Sequence, residues 1–334
     1  MVYKNLITGF PFIDQPGFLD YLNNVIDKYS IDCVYPAHDS ASVFMSEYAD
    51  KIHSQVIITE KRTTDICRSK KETYEYLAEY DFIPKVYNSI DLVKKYPVFV
   101  KPIVGQGSNG AKKVCNREEL EMEIKKDPSL VISEYLPGAE YTVDCFTDAN
   151  KKLLVCKMRN RERIRNGIAV RSKSEHLPDE ILNIANILNA KFLFKGAWFF
   201  QVKENTNHKF KLLEISPRIP GTMGLSRNLG INFPLLTLFV FWGYDVSIIE
   251  NEYDIMLDRA FYSAYEIGLQ YNHIYLDFDD TITFGNAVNP DVMRFIYQSL
   301  NKGKKIHILS KHSTDLMKDL ETYHIDKGLF QSII

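Results

Sequence analysis

Oxygen and nitrogen groups alternate with apolar side chains along the stretch Leu212–Arg218. Because side chains on a β-strand alternate between two faces, Glu214, Ser216 and Arg218 would share one face. Carboxylate and hydroxyl oxygens suit magnesium, and a planar guanidinium matches a phosphate in a way that a lysine cannot copy. The spacing therefore predicts a strand that holds metal-bound phosphate, with Glu214 able to bridge two ions.

Three further motifs precede that strand. Gln201 lies in an apolar strand pattern, and its amide oxygen would face Glu214 across paired strands as a second metal ligand. Lys101 ends the apolar run Val98–Lys101 and would offer a point charge to phosphate. A glycine-rich segment follows, and its backbone N–H groups can close over phosphates. The residues of that segment predicted to contact the phosphates are Gly105, Gly107, Ser108 and Gly110.

Each motif also has a simpler interpretation. A glycine-rich segment taken alone is often an ordinary hairpin turn, and a lone lysine is usually solvated. The acidic stretch Ser133–Glu140 contains a Pro-Gly turn, and its two glutamates could simply be exposed. The order of all the motifs along one chain is what favours a nucleotide site.

In this order the motifs resemble the ATP-grasp superfamily, and within it the branch that contains the carbamoyl-phosphate synthetase large subunit. The likeness runs from about Thr59 to about Val246. It implies an α/β fold with a lid subdomain, and Mg²⁺ with ATP as cofactors, Mn²⁺ being an alternative metal. The resemblance further implies a set of nucleotide contacts: Lys70 and Lys101 for the phosphates, Glu134, Tyr135 and Leu136 at the adenine, Glu140 at the ribose, and Arg159.

The same resemblance implies a carboxylate–amine ligase that forms an acyl phosphate, with Arg218 and Lys101 as catalytic residues. Such enzymes usually carry asparagine where this chain has Ser216, which weakens the case for a second metal ion. The substrates would be a small-molecule carboxylate and an amine, and a homodimer is one option for the assembly. Two rival functions are a phosphatase with a regulatory nucleotide-binding domain and a non-catalytic ATP-binding module.

The composition excludes several other classes of protein. The formal net charge of −2 argues against a nucleic-acid partner, because lysines and arginines are balanced by acids. Five widely spaced cysteines without a C-x-x-C pair favour reduced thiols in the cytoplasm. The apolar run Phe233–Trp242 is too short to span a bilayer, and a buried helix is predicted over Phe233–Tyr244, so no membrane partner is expected.

The order of predicted elements divides the chain into four parts. Residues 1–60 read as an incomplete Rossmann-like domain with a βαβ pattern, in which a helix spans Ala41–Ile52. Residues 61–250 would form the ATP-grasp domain, with the lid at about 88–134 and a helix from Lys70 to Tyr80. Residues 251–271 are predicted to be a linker, and residues 272–334 a separate C-terminal segment.

That C-terminal segment carries a second motif. The apolar strand His273–Leu276 leads into D-x-D-x-T, with Asp277 and Asp279 as its acids, and Ser310 ends a second strand. This resembles the first two motifs of haloacid-dehalogenase-like (HAD-like) phosphatases, which implies that Asp277 and Asp279 bind magnesium and act as nucleophile and general acid. The later lysine and acidic motifs have no counterpart in the expected order, so we expect a truncated, catalytically incompetent HAD-like domain.

The sequence says less about the pocket that would bind the acceptor substrate. His38, Asp39 and Ser40 follow a predicted strand, where ligands of doubly wound sheets gather, although Asp39 or Ser40 could equally cap the next helix. Residues 220–222 and 227–228, after the metal strand, are further candidates. Five arginines between 159 and 171 crowd one segment, and apart from Arg159 most are expected to be solvated.

Overall fold

The computed structural model describes residues 6–105, 107, 109–165, 167–252, 254–260 and 270–334. The chain divides into two compact units, residues 1–261 and residues 262–334. Each unit has its own apolar core and is described by itself. The boundary near residue 262 falls inside the predicted linker, while the finer division into domains stays a prediction.

The first segment of the large unit is small. Its elements are α1 (Phe18–Tyr29), β1 (Cys33–Val34), α2 (Asp39–Glu47) and β2 (Gln55–Val56). β1 and β2 pair in parallel around α2, as the βαβ pattern predicts. The predicted bounds of the second helix were wrong, because α2 begins at Asp39 and a separate 3₁₀ turn follows it at Ala49–Lys51.

The next segment contains the lid. Its elements are α3 (Lys61–Arg68), α4 (Lys70–Tyr76), β3 (Val86–Tyr87), β4 (Val98–Lys101), β5 (Lys112–Val114), α5 (Arg117–Lys126) and β6 (Val131–Glu134). The four strands form an antiparallel sheet in the order β3-β6-β4-β5, and α5 packs on it through the fully buried Leu120. α4 is shorter than the predicted helix, since it ends at Tyr76.

A larger sheet, with strands of different lengths, follows the lid along the chain. Its elements, with the helices between them, are β7 (Glu140–Thr147), β8 (Leu153–Asn160), β9 (Arg163–Arg165), β10 (Ile168–Glu175), α6 (Asp179–Lys191), β11 (Gly196–Glu204), β12 (Phe210–Ser216), α7 (Phe233–Phe241) and β13 (Met256–Asp258). The strand order is β12-β11-β7-β8-β10-β13, with β9 paired to β10. The sequence analysis missed β9 and β10, and it assigned β13 to the linker.

The two faces of this sheet differ in character. Phe200 and Val202 on β11 are fully buried against α6, whose Ile181 and Leu188 are also fully buried. Because neighbours on a strand point to opposite faces, Gln201 between them points away from that core. The apolar positions of β11 thus fix which face is left for polar chemistry.

A β-bulge interrupts the pairing of β11 with β12. Gln201 pairs with Glu214, whereas Val202 pairs with Leu212, so Leu213 is an extra residue on β12. The Leu213 carbonyl instead accepts a hydrogen bond of 2.8 Å from the Tyr74 hydroxyl. The bulge therefore turns a backbone carbonyl toward α4.

α7 is the most apolar helix of the large unit, and it ends at Phe241, before the predicted end at Tyr244. Its Phe233 and Val240 are buried against the sheet. Within the described ranges, no helix combines the length and the apolar character that crossing a bilayer requires.

The small unit is built on a three-stranded parallel sheet. Its elements are β14 (His273–Leu276), β15 (Thr283–Phe284), β16 (Ala287–Val288), α8 (Pro290–Leu300), β17 (Lys305–Ile308), α9 (Leu316–Thr322) and β18 (Ser332–Ile333). The sheet order is β14-β17-β18, and β15 and β16 form a separate hairpin. Both predicted strands of this segment are present, and the polar residues Asp277 and Ser310 follow their carboxyl ends.

Candidate functional site

Two cavities meet in the large unit between the lid and the polar face of the main sheet. The smaller has a volume of about 150 Å³ and lies along β4 and the segment after β6. The larger has a volume of about 370 Å³ and extends toward α2. Gln201 and Glu214 line both cavities, as do Lys70 and Gly105.

Lys101 is held inside the smaller cavity by the bulge. Its ammonium donates to the Tyr74 hydroxyl at 2.5 Å and to the Leu213 carbonyl at 3.4 Å, and only 7% of the residue is exposed. Burial, followed by the charge of Lys70, lowers the pKa of Lys101 to about 7. A phosphate placed here would restore the charged form, so the sequence-predicted phosphate ligand is poised for an anion.

Lys70 begins α4 and lies on the common wall of the two cavities. Its ammonium donates to the Gly105 carbonyl at 3.4 Å. Burial lowers the pKa of Lys70, while the charge of Glu214 opposes that shift. The structure thus brings both predicted phosphate-side lysines to one place.

The glycine-rich segment connects β4 and β5, so it is a hairpin connection and also part of the cavity wall. Gly105 and Gly107 line both cavities. The backbone of Gly107 passes so close to Gly167 that a Cβ on Gly167 would lie 2.0 Å from a backbone carbon. Gly167 has a φ of +71°, which favours glycine as well. Ser108 lies outside the described residues.

The segment after β6 lines the smaller cavity with Glu134, Tyr135 and Leu136. A carboxylate oxygen of Glu134 accepts from the Lys85 backbone N–H at 2.8 Å, which anchors the turn to the strand before the lid. Leu136 is buried, and the Lys113 ammonium lies 4.5 Å from the centre of the Tyr135 ring. These three predicted adenine contacts are close together at one end of the cavity.

Glu140 lines the same cavity at the start of β7. Its carboxylate forms ion pairs with Arg161 at 2.8 Å and with Lys203 at 3.7 Å. A carboxylate held in this way can still accept hydrogen bonds from two adjacent hydroxyls. The role of Glu140 as the ribose contact stays a prediction.

The predicted metal ligands come from adjacent antiparallel strands. Gln201 on β11 is directly opposite Glu214 on β12, and both are half-buried. Ser216 follows on the same face and is buried. Among the described residues, no group of three or more His, Cys, Asp or Glu side chains could enclose a metal. Oxygen donors with one carboxylate fit magnesium, which keeps phosphate and water ligands, better than they fit a closed protein cage.

Arg218 is held by a residue of the first segment. Its guanidinium donates to both carboxylate oxygens of Asp39, at 2.6 and 2.7 Å, and the Ser216 hydroxyl donates to the same carboxylate at 2.8 Å. Burial alone would raise the pKa of Asp39, but the hydrogen bonds and charge of Arg218 outweigh it and lower the pKa. Arg218 also lies 5.3 Å from the centre of the Phe199 ring.

Asp39 is therefore a cavity residue and not a helix cap. The cap of α2 is His38, whose ring accepts from the Ser40 backbone N–H at 3.3 Å, so the alternative in which Asp39 or Ser40 caps the helix was wrong. His38 and Asp39 both line the larger cavity, whereas Ser40 is absent from its described lining. Pro220, Gly221 and Thr222 line it too, and Arg227 and Asn228 do not.

Arg159 lies on the floor of the larger cavity and is not part of the described lining of the smaller one. Its guanidinium donates to both oxygens of Asp144, at 2.7 and 3.1 Å, and both residues are almost fully buried. Its predicted contact with the nucleotide stays a prediction. Arg163 and Arg171 instead share Asp258 at the exposed edge of the sheet.

The cavity residues missed from the sequence include two arginines and a threonine. Arg68, at the end of α3, donates to the Gly105 carbonyl at 3.4 Å. Arg259, after β13, packs against Gly221, and Thr142 on β7 is directly opposite Gln201. Thr142 could have been found by alternation, since it stands two residues after Glu140 on the same face.

The small unit has its own polar cluster. The Ser310 hydroxyl donates to Asp277 at 2.6 Å, which brings the two predicted motifs together. His312 lies between Asp279 and Asp319, at 2.8 and 2.6 Å from their oxygens. Hydrogen bonds to these two carboxylates raise the pKa of His312. No third acid was predicted for a metal here; Asp319 contacts His312, and the described residues form no group of three or more His, Cys, Asp or Glu side chains that could hold a metal.

The large unit contains a segment that matches a known protein family. Residues 126–257 match the family described as ATP-grasp in the biosynthetic pathway with Ter operon. A curated relative, the D-alanine–D-alanine ligase of Fusobacterium nucleatum subsp. nucleatum, is 35% identical over 60 residues. That match covers 18% of this chain and 21% of the ligase.

Solved structures are similar over a longer range. Biotin carboxylase from Campylobacter jejuni, in complex with a β,γ-ATP ligand, has a TM-score of 0.59 at 18% identity and covers 68% of this chain and 59% of its own. An L-amino acid ligase from Bacillus licheniformis has a TM-score of 0.55 at 18% identity, with coverages of 70% and 62%. This chain thus spans less than two thirds of each of these relatives. These likenesses show the fold.

Proposed function

From the ATP-grasp fold of the large unit, we propose that this chain is an ATP-dependent ligase that joins a carboxylate to an amine. The observation that carries the proposal is the pair of adjoining cavities with Gln201 and Glu214 on their common wall. A nucleotide in the smaller cavity would present its γ-phosphate beside Glu214. A carboxylate in the larger cavity would then lie next to it.

The reaction has two steps. A carboxylate oxygen attacks the γ-phosphorus, the bond to the β-phosphate oxygen breaks, and ADP leaves with that electron pair. The amine nitrogen then attacks the acyl carbon, the bond from carbon to the phosphate oxygen breaks, and inorganic phosphate leaves. The amine loses one proton to solvent or phosphate, so atoms and charges balance.

The chain's residues contribute mainly position and charge. Lys101 and Lys70 would hold the phosphates, and Glu134 to Leu136 with Glu140 would hold the nucleoside. Arg218, fixed by Asp39, would face the carboxylate and the phosphoryl group that moves between the cavities. The glycine-rich segment, whose Gly107 lies against Gly167, would cover the acyl phosphate and keep water away from it.

Magnesium fits the donors at Gln201 and Glu214, with Ser216 as a weaker third, and would neutralise phosphate charge when bound. Mn²⁺ would fit the same oxygen donors. The sequence predicts Arg159 as a nucleotide contact; because it lines the larger cavity and not the smaller one as described, we propose that it lies on the substrate side instead. The likeness to the carbamoyl-phosphate synthetase branch is proposed for the site motifs alone, and it names no product.

For the remaining parts of the chain we propose the following. Residues 1–60 are a Rossmann-like domain, and residues 272–334 are a HAD-like segment without phosphatase activity, in which the Asp279 carboxylate is hydrogen-bonded to His312. Turnover of p-nitrophenyl phosphate that is lost in Asp277→Asn would contradict this and favour the phosphatase alternative. A cytoplasmic location and a homodimer are part of the same proposal.

The test of the ligase is ADP release from Mg-ATP across a grid of amino acids, hydroxy acids, sugar acids and amines. Lys101→Ala and Glu214→Ala serve as blanks. Release that depends on one carboxylate and one amine, and that is lost in both variants, supports the ligase. ATP binding without release across the grid favours the non-catalytic ATP-binding module.

A further inference from the structure

The floor of the larger cavity contains two buried donors that no described protein group accepts from. The Arg159 Nη1 atom and the Thr142 Oγ1 atom have no hydrogen-bond partner among the described residues. Arg159 is 2% exposed and Thr142 is 1% exposed, yet both line the cavity. A buried donor without an acceptor costs free energy. Two such donors side by side therefore indicate a site for a ligand that supplies the acceptor.

These donors belong to a row that crosses the sheet. Glu214 pairs with Gln201, Gln201 with Thr142, and Thr142 with Arg159, on four adjacent strands. Neighbouring strands lie about 4.8 Å apart, so Thr142 lies about 10 Å from Glu214 along the row. The row leads from the reacting end of the cavity to a second polar position.

The Arg159 head group is fixed before any ligand arrives. Two of its nitrogens donate to Asp144, which leaves Nη1 as the remaining donor nitrogen of the guanidinium. Asp144 is fully buried, so the pair has little freedom to move. A pre-oriented donor of this kind loses little entropy when it binds an oxygen.

The charge on the cavity wall indicates what kind of oxygen would bind. Asp144 neutralises Arg159, and Asp39 neutralises Arg218. Arg68 and Arg259 also line the cavity, and no described acidic side chain lies within ion-pair distance of either. Two guanidiniums without an ion-pair partner among the described residues, beside two donors without an acceptor there, favour an anionic group.

We propose that Thr142 and Arg159 form a subsite for a second anionic group of the carboxylate substrate, with Arg68 and Arg259 supplying compensating charge. The substrate would thus be a small acid with two anionic groups, one of which becomes the acyl phosphate. The second group is a carboxylate or a phosphate, which share the oxygen chemistry of the subsite. This inference rests on the proposed ligase for the identity of the first group.

The experiment measures binding and so does not need turnover. The full chain, saturated with Mg-ADP to fill the phosphate sites, is titrated by calorimetry with succinate and glutarate, with phosphoglycolate, and with butyrate as the monoanionic control. Thr142→Val removes the hydroxyl at nearly constant volume, and Thr142→Ser restores it. Both variants keep the buried Arg159–Asp144 pair. Truncating Arg159 would instead leave Asp144 as a buried charge without its partner.

We expect at least one dianion to bind more tightly than butyrate, with affinity lowered about tenfold in Thr142→Val and retained in Thr142→Ser. The dicarboxylate and phosphoglycolate arms tell which second group is preferred. Equal binding of butyrate and the dianions, no dianion binding at millimolar concentration, or undiminished binding in Thr142→Val would overturn the subsite. Dianion binding that depends on Thr142, without ADP release in the ligase assay, would count against the ligase alone.

Discussion

The smaller cavity and the floor of the larger one are built in different ways. The smaller cavity draws on short continuous segments: the end of β4, the glycine-rich connection, and the residues from Glu134 to Glu140. The floor of the larger cavity is a row of single residues on different strands, Gln201, Thr142 and Arg159 among them. Continuous segments leave a pattern in the sequence, whereas a row across strands exists only after the strands pair.

The largest expected effect falls on the wall that both cavities share. Glu214→Gln removes the one carboxylate among the metal ligands predicted for the large unit, and we expect kcat for ADP release to fall by about 10²–10³-fold. Glu118→Gln, an exposed residue at the start of α5, is the matched control. Activity close to that of the wild-type chain in Glu214→Gln would contradict the role of Glu214 in phosphoryl transfer between the cavities.

A smaller loss is expected where the larger cavity meets the first segment. Asp39→Asn keeps the size of the side chain but removes the charge that fixes Arg218, and we expect kcat/KM for the carboxylate to fall about tenfold. The KM for ATP should change little, because Asp39 does not line the smaller cavity. Steady-state kinetics with each substrate varied in turn measures the two effects. Equal losses for both substrates would mean that Asp39 supports the fold as a whole.

The nucleotide cavity should respond to pH through Lys101. Its pKa of about 7 in the free chain should rise when phosphate binds, because an anion favours the ammonium. Binding of Mg-ADP at pH 8 should therefore take up a proton, and its affinity should fall by up to about tenfold per pH unit above 7 and level off below 7. Calorimetry in buffers of different ionisation enthalpy measures the uptake. Lys101→Met should lose it, and Lys95→Met, an exposed control, should not.

The smallest effect is expected at the bulge. Tyr74→Phe removes the hydroxyl that binds both Lys101 and the Leu213 carbonyl. We expect the KM for ATP to rise by about two- to fivefold, in line with one net hydrogen bond, with little change in the KM for the carboxylate. A larger change in the KM for the carboxylate than in the KM for ATP would contradict the assignment of ATP to the smaller cavity and the carboxylate to the larger one.

The same contrast explains what could be predicted from the sequence. Local spacing in the sequence indicates a strand end, a turn or an alternation of side chains. Such patterns identified Lys101, the glycine-rich segment, Glu134 and Glu214. The bulge at Leu213 could not be predicted, since it depends on the register of β11 against β12. Nor could the Asp39–Arg218 pair, which joins residues 179 positions apart.

The strands missed in the arginine-rich segment have a physical explanation as well. β10 runs Ile168–Glu175, with three apolar residues in a block at its start followed by polar and charged residues, so it shows no clear alternation. Its place is set by pairing with β8, β9 and β13. Tertiary pairing decided the structure there, and local propensity did not.

The central claim is that phosphate passes from the smaller cavity to a carboxylate in the larger one. The most direct measurement uses the carboxylate that supports ADP release, labelled with ¹⁸O in both carboxyl oxygens, and analyses the inorganic phosphate by mass spectrometry. An acyl phosphate intermediate transfers one labelled oxygen to each phosphate formed. Phosphate that carries no label would contradict the account, because water or another group would then have attacked the γ-phosphorus.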